Sequence, residues 1–207
     1  MSDLPKAAAI VLAGGKSTRL GRDKASELLL GRPLLQHVLD RLAGLVDERV
    51  VVSAVGQRLP ALDTPDLKVV EDIYPETGPL GGIYTGLTAI DAPYAIAVAC
   101  DMPLLQPTLV AELLRRAPGR DLVVPVSEEF PQPLCAVYSK ACVEPFRRQL
   151  EAGEYKITAA FGFLRPLYLR PADWRPFDPE GLSFQNLNRE EDLRRVTALL
   201  EAEAASR

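Results

Sequence analysis

The sequence of 207 residues has no apolar run near the roughly 18 residues that a membrane-spanning helix requires. No signal peptide precedes the first apolar segment, so we expect a cytoplasmic protein. The net charge of −4 provides no basic surface for nucleic acid or a membrane. The length and the ordinary composition, with 47% hydrophobic and 25% charged residues, predict a single globular domain at residues 1–207.

The chain also has little cysteine and histidine. Its three cysteines, Cys100, Cys135 and Cys142, lack metal or redox spacing, and we expect small buried side chains. His37 is the single histidine and lies off the main apolar stripe of its segment, where we expect a surface or packing role. Histidine general-base chemistry would rest on this one residue.

What the chain does have is an apolar strand at residues 7–12 that leads into Gly14 and Gly15, followed by the basic residues Arg19 and Lys24. Glycine allows backbone N–H groups to approach and face an anion. Open α/β sheets bind ligands at the carboxyl ends of their strands. The segment therefore predicts a polyphosphate cradle, and hence a nucleotide site. A plain strand-to-helix turn is the alternative interpretation.

Two well-known phosphate motifs do not match this segment. Residues 15–17 resemble the end of a P-loop, but Ile10 occupies the position of that motif's first glycine. A P-loop enzyme would also depend on Lys16 and not on Lys24. The adjacent pair Gly14 and Gly15 does not fit the dinucleotide pattern G-x-G-x-x-G.

Strand-like and helix-like segments alternate along the chain. The strand-like segments are 7–12, 50–55, 67–70, 95–99, 122–126 and 134–138, and the helix-like segments are 35–42, 81–90, 107–116, 141–152 and the tail from 189. This alternation predicts an α/β fold, with three αβα layers around a Rossmann-like, mostly parallel sheet.

Asp101 follows a strand-like segment without charged residues, and it should lie at the same sheet edge as the glycine loop. Mg²⁺ commonly uses one or two carboxylates together with substrate phosphates, so Asp101 is a candidate ligand. A turn-capping role before Pro103 is the alternative.

Asn186 and Asn188, the two asparagines of the chain, lie on the same face of an extended segment. Asn188 also fits a helix N-cap with Glu191 at the third helical position. The glycine-rich segment at 78–82 is either a second close backbone approach to a ligand or a turn that begins the next helix.

The pattern L-A-G-G-x-S-x-R-x-G-x-D-K at residues 12–24 resembles the signature loop of molybdenum cofactor guanylyltransferases. The resemblance extends through VED at 70–72, GPLGG at 78–82, CDMP at 100–103, PQP at 131–133 and NLN at 186–188. It implies a fold of the nucleotide-diphospho-sugar-transferase type. It also implies transfer of GMP from GTP to the terminal phosphate of molybdopterin, release of pyrophosphate, and Mg²⁺ as cofactor.

The same resemblance implies roles for individual residues. Catalytic roles fall to Arg19, Lys24 and Asp101, and Asp101 is the Mg²⁺ ligand. The GTP-binding set is Leu12, Ala13, Gly14, Gly15, Lys24, Ser53, Asp72 and Asp101, and Ser53 stands where the family commonly has asparagine. The second-substrate set is Gly78, Gly82, Gln132, Lys156, Asn186 and Asn188. A solvated surface lysine is the alternative for Lys156.

The resemblance assigns the GTP part to about residues 5–105, the second-substrate part to about 106–190 and a C-terminal helix to about 189–205. The implied partners are GTP and molybdopterin, with carrier or recipient proteins of the cofactor as further candidates, and we expect a monomer or weak oligomer. A cytidylyltransferase or a sugar-phosphate nucleotidyltransferase on the same fold remains an alternative. A nucleotide-binding module without turnover is another.

Overall fold

The computed structural model describes residues 4–14, 24–187 and 190–205, without the side chains of residues 190, 204 and 205. The strands are β1 (Ala7–Leu12), β2 (Leu28–Leu29), β3 (Arg32–Pro33), β4 (Glu48–Ser53), β5 (Leu67–Glu71), β6 (Tyr94–Ala99), β7 (Leu122–Ser127), β8 (Phe130–Pro131), β9 (Cys135–Ser139) and β10 (Pro166–Leu169). The α-helices are α1 (Leu34–Arg41), α2 (Pro79–Ala89), α3 (Pro107–Arg115), α4 (Val143–Glu151), α5 (Pro171–Trp174) and α6 (Glu190–Ala205).

Seven strands form the main path of the sheet in the order β10-β7-β9-β6-β1-β4-β5, and β8 pairs with β7 at its side. Strand β9 is antiparallel to both of its neighbours, whereas the other six strands of the path share one direction. From β1 the chain passes to β4 and β5 on one side, and it then returns to β6 on the other side of β1. The strand order therefore reverses beside β1, which is where such sheets bind ligands.

Helices cover both faces of the sheet and produce three layers. On one face, α1, α3 and α5 share one apolar cluster with Ala7, Ala9 and Val11 of β1. On the other face, α2 and α4 share a second cluster with Ala8, Ile10 and Leu12. Because both faces of β1 are buried, its sequence is apolar throughout and does not alternate.

Two glycines allow α2 to lie close to β1. A Cβ atom added at Gly82 would lie 2.9 Å from Leu12 Cδ2, and one at Gly86 would lie 2.4 Å from Ile10 Cγ2. Gly78 precedes the helix with φ of 66°, a conformation that glycine adopts readily, and Pro79 occupies the first turn. The segment at 78–82 therefore does begin a helix, and Gly82 is required for packing.

The predicted α/β alternation is confirmed. The ends of the predicted strands and helices lie no more than two residues from the observed ends. Strands β8 and β10 and the hairpin of β2 and β3 were not predicted. Strand β9 is antiparallel to its neighbours in an otherwise parallel path. None of the helices in the described ranges is long and apolar enough to span a membrane.

Candidate active site

A cleft of about 760 Å³ lies at the carboxyl edge of the parallel strands. Its walls come from the ends of β1, β4, β5 and β6 and from the beginning of α2. The lining residues are Leu12, Ala13, Gly14, Lys24, Val52, Ser53, Ala54, Val55, Asp72, Pro75, Glu76, Gly78, Pro79, Gly82, Ala99, Cys100, Asp101 and Leu134. The volume lies in the range of small-molecule sites, which is roughly 300–1,000 Å³.

Lys24 and Asp101 meet in this cleft. Lys24 Nζ donates to Asp101 Oδ2 at 2.7 Å, and the two side chains are 22% and 10% exposed. Lys24 begins a short 3₁₀ helix, Lys24–Ser26, and Asp101 follows β6. The residues are 77 positions apart in the chain, so the fold alone joins the basic end of the glycine loop to the carboxylate.

The second carboxylate oxygen of Asp101 is suited to bind a divalent metal ion. Oδ1 is buried and has no hydrogen-bond partner in the described part of the chain. A buried carboxylate oxygen without a partner is costly unless a ligand completes it. No group of three or more His, Cys, Asp or Glu side chains converges on a metal position in the described ranges. A metal here would thus use Asp101 with substrate phosphates, the mode typical of Mg²⁺.

The backbone at the end of β1 is held by β4 and by one side chain that the sequence analysis missed. The N–H groups of Ala13 and Gly14 both donate to Val52 O, at 2.9 and 3.2 Å. Gln57 Nε2 donates to Ala13 O at 3.1 Å, while its Oε1 accepts from Ala54 N at 2.9 Å. A Cβ atom at Gly14 would lie 2.8 Å from Ala54 N, so only glycine fits this crossing.

Asp72 is oriented by two donors on its Oδ1 atom. Tyr74 N donates at 3.0 Å, and Thr85 Oγ1 of α2 donates at 2.9 Å. Thr85 in turn accepts from Ile73 N at 3.1 Å. Within the described ranges Oδ2 has no hydrogen bond, and it can accept from a ligand in the cleft. Thr85 was also missed, because a threonine inside a helix gives no sequence signal.

Two of the other predicted GTP-binding and catalytic residues line the cleft, and two are outside the part of the chain that the structure describes. Ser53 is buried and lines the cleft, but its hydroxyl donates to Val70 O over a long 3.4 Å. Leu12 lines the cleft from the end of β1. Gly15 and Arg19 lie outside the described residues.

The predicted second-substrate residues are only partly brought together. Gly78 and Gly82 line the cleft, whereas Gln132, Lys156 and Asn186 do not. Gln132 contacts its own hairpin through Phe130 O, and Lys156 is exposed. Asn186 is exposed, but the next residue, Leu187, donates its N–H to Asp101 O at 3.0 Å. Asn188 lies outside the described residues.

The cysteines and the histidine have structural roles, as predicted. All three cysteines are buried and none forms a disulfide within the described ranges, and burial raises the pKa of Cys142 to about 12. A thiol with such a pKa is not a nucleophile at neutral pH. His37 Nε2 lies 2.7 Å from Leu29 O and fixes the β2–β3 hairpin to α1.

The family model of the MobA-like NTP transferase domain matches residues 9–165. A probable molybdenum cofactor guanylyltransferase of Chloroflexus aggregans is 36% identical, over 92% of this chain and 93% of the relative. The molybdenum cofactor guanylyltransferase of Desulfosudis oleivorans is 33% identical, over 93% of this chain and 95% of the relative.

Among solved structures, molybdopterin-guanine dinucleotide biosynthesis protein A from Archaeoglobus fulgidus superposes with a TM-score of 0.79 and 25% identity. The superposition covers 94% of this chain and 99% of the other. The matched residues include the ends of β1, β4, β5 and β6, which form the cleft. The chain belongs to the MobA-like NTP transferase family, and it is a nucleotidyltransferase.

Proposed function

We propose that this protein transfers the GMP part of GTP to the terminal phosphate of molybdenum-molybdopterin and forms molybdopterin guanine dinucleotide and pyrophosphate. The names of the relatives, at 33–36% identity over nearly their whole length, support this reaction. The observation that carries the proposal is Asp101 at the strand-order reversal, with one oxygen on Lys24 and the other buried without a partner in the described ranges.

In the proposed reaction an oxygen of the molybdopterin phosphate attacks the α-phosphorus of GTP. The new bond joins this oxygen to phosphorus, and the bond from the α-phosphorus to the bridging oxygen breaks and releases pyrophosphate. A phosphate monoester is already largely ionised near neutral pH, since its second pKa is about 6. The protein therefore needs no nucleophile of its own, and it acts by alignment and by charge neutralisation.

The proposed reaction assigns roles to the charged residues of the site and to the main chain at the end of β1. Lys24 moves its ammonium group from Asp101 to the phosphates, and Arg19 adds positive charge on the same loop. Asp101 would hold Mg²⁺, which would neutralise charge on the triphosphate when bound. Asp72 Oδ2 accepts from the N–H groups of the nucleotide. The main chain of Leu12–Gly14, together with Gly15, borders the nucleotide.

The remaining residues complete the two substrate sites. Ser53 borders the nucleotide through the end of β4. Gly78 and Gly82 lie under the second substrate or the sugar. Gln132, Lys156, Asn186 and Asn188 provide amide and cationic contacts for molybdopterin. The enzyme acts in the cytoplasm as a monomer or weak oligomer, and carriers or recipients of the cofactor are its protein partners.

The reaction is tested first by the choice of nucleotide. Calorimetric titration with GTP, CTP and ATP in the presence of Mg²⁺ should give binding with GTP, and at least tenfold weaker binding with the other two. Preference for CTP would instead indicate a cytidylyltransferase. Tight binding of GTP without turnover on molybdopterin would indicate a nucleotide-binding module.

The Asp101→Asn variant tests the metal ligand. We expect turnover to fall about a hundredfold or more, which corresponds to roughly 3 kcal/mol of transition-state stabilisation. Asp91→Asn is the matched control, because Asp91 precedes the same strand at the opposite edge of the sheet and is exposed. Turnover of Asp101→Asn close to that of the parent would remove Asp101 from the mechanism.

A further inference from the structure

A small apolar cluster lies apart from the two clusters that flank the sheet. It consists of Leu29, Leu34, Leu104, Leu187 and Val196, all of them buried. We call it the third cluster. Its members follow three of the predicted site residues closely in the chain. Leu29 follows Lys24, Leu104 follows Asp101, and Leu187 follows Asn186. The segments that carry Lys24, Asp101 and Asn186 thus share one packing centre.

Hydrogen bonds tie one of these segments to another. Residues 177–187 run antiparallel to residues 101–108, and we call the first of these stretches the strap. Leu187 N donates to Asp101 O at 3.0 Å at one end. Gln106 N donates to Ser183 Oγ at 2.9 Å in the middle. Thr108 Oγ1 donates to Phe177 O at 2.7 Å at the other end.

The strap is itself held in shape by a buried carboxylate. Asp178 is 1% exposed, and its two oxygens accept from Leu182 N and Ser183 N at 2.9 and 2.8 Å. Because both oxygens are satisfied within the strap, Asp178 has a structural task. Asp178 therefore fixes the main chain of the strap, whose end places Leu187 N opposite Asp101 O.

Helix α6 closes the third cluster from outside. Val196 is 2% exposed, and Leu193, Leu199 and Leu200 pack around the same cluster. Arg41 of α1 donates to Glu203 of α6 at 2.9 Å, which fastens the helix to the layer that also supports Lys24. No strand residue of the seven-strand path belongs to this cluster.

We propose that Leu187 and Val196 are positioning residues of the active site. Through the third cluster they hold the segments of Lys24, Asp101 and Asn186 in one geometry. The inference rests on the proposed function, since it assigns these groups to GTP, the metal ion and the second substrate. In-line phosphoryl transfer depends on such alignment, and displacements of about 1 Å can cost a hundredfold in rate.

The experiment compares Leu187→Ala with Leu150→Ala. Leu150 in α4 is buried to a similar extent, does not belong to the third cluster and does not line the cleft. Both variants create a cavity and should lower the melting temperature to a similar extent. In calorimetry with Mg²⁺, Leu187→Ala should bind GTP at least tenfold more weakly than the parent, whereas Leu150→Ala should bind it unchanged. Leu187→Met, which conserves volume, should restore binding.

A ligand-free measurement keeps the inference separate from the proposed function. In Val196→Ala, a milder change at the rim of the cluster, amide hydrogen exchange should accelerate at Leu187 and Cys100 but not at Val124 in β7. Unchanged exchange at Leu187 and Cys100 would overturn the inference, and so would GTP affinity in Leu187→Ala equal to that of the parent. A parent that binds no GTP would refute the proposed function, while the exchange result would still decide the role of the cluster.

Discussion

Asp101 and Lys24 neutralise each other when the cleft holds no nucleotide. Their side chains are mostly buried, and the contact of 2.7 Å is that of a charge-assisted hydrogen bond. Removal of one partner from such a pair leaves a charge in a poorly solvated place, which is strongly destabilising. Lys24 thus neutralises Asp101 in the free protein, and the proposed reaction gives it a second task on the phosphates.

Lys24→Ala tests both tasks. We expect the melting temperature of the free protein to fall, because Asp101 loses its cation, and GTP to bind at least tenfold more weakly by calorimetry. Lys16→Ala is the control on the same loop, and it should bind GTP like the parent. The reverse result, with Lys16 essential and Lys24 dispensable, would support a P-loop type of phosphate site.

At the scale of elements, the distance between α2 and β1 shapes the cleft. Gly82 and Gly86 face Leu12 and Ile10 so closely that no side chain fits between helix and strand. The start of α2, with Gly78 and Pro79, therefore reaches the cleft wall beside the end of β1. Close packing of one helix brings the second glycine segment to the cleft.

Gly86→Ala should destabilise the protein by about 1–3 kcal/mol, because the new methyl group overlaps Ile10 and forces helix and strand apart. Urea unfolding followed by circular dichroism measures this change. Gly162→Ala is the control, since a Cβ atom there meets nothing within 4 Å and the residue is exposed. Equal stability of Gly86→Ala and the parent would contradict the packing explanation.

Much of the fold and of the candidate site could be predicted from the sequence, and the features that could not be predicted have physical causes. The uninterrupted apolar residues of β1 and β6 identified strands buried on both faces, and Asp101 stood out because it follows one of them. Strand direction leaves no mark on such a pattern, so the antiparallel β9 was not foreseen. Gln57 acts through one hydrogen bond to the distant Ala13 O and one from the nearby Ala54 N, and a single polar loop residue has no periodicity that would reveal it.

At the scale of the whole molecule, one ion pair fastens the strands at the edge opposite the cleft. Asp121 precedes β7 and accepts from Arg165 N, Nε and Nη2 at 2.9, 3.1 and 2.8 Å, immediately before β10. Hydrogen bonding from the Arg165 side chain lowers the pKa of Asp121 below its ordinary value of 3.8. The interaction therefore stabilises the fold above that value and is lost as the pH falls through the lowered pKa.

Asp121→Asn should reduce the melting temperature at pH 7 by no more than a few degrees, because the Arg165 side chain is 72% exposed and its charge is screened. The difference from the parent should shrink as the pH is lowered below about 4, where the aspartate of the unfolded chain is protonated. Thermal melts at pH 7 and pH 3 provide the comparison. Glu144→Gln, in an exposed pair on α4, should have a smaller effect. A difference that grows in acid would contradict the assignment.

The hydrogen bond between Leu187 and Asp101 has a consequence for synthesis on the ribosome. All seven strands of the main path are translated before the strap and α6 emerge. Domains fold as they leave the ribosome, from the N-terminal part onwards. The sheet and every described residue that lines the cleft can thus assemble in a nascent chain before Leu187 is available to fasten the segment of Asp101.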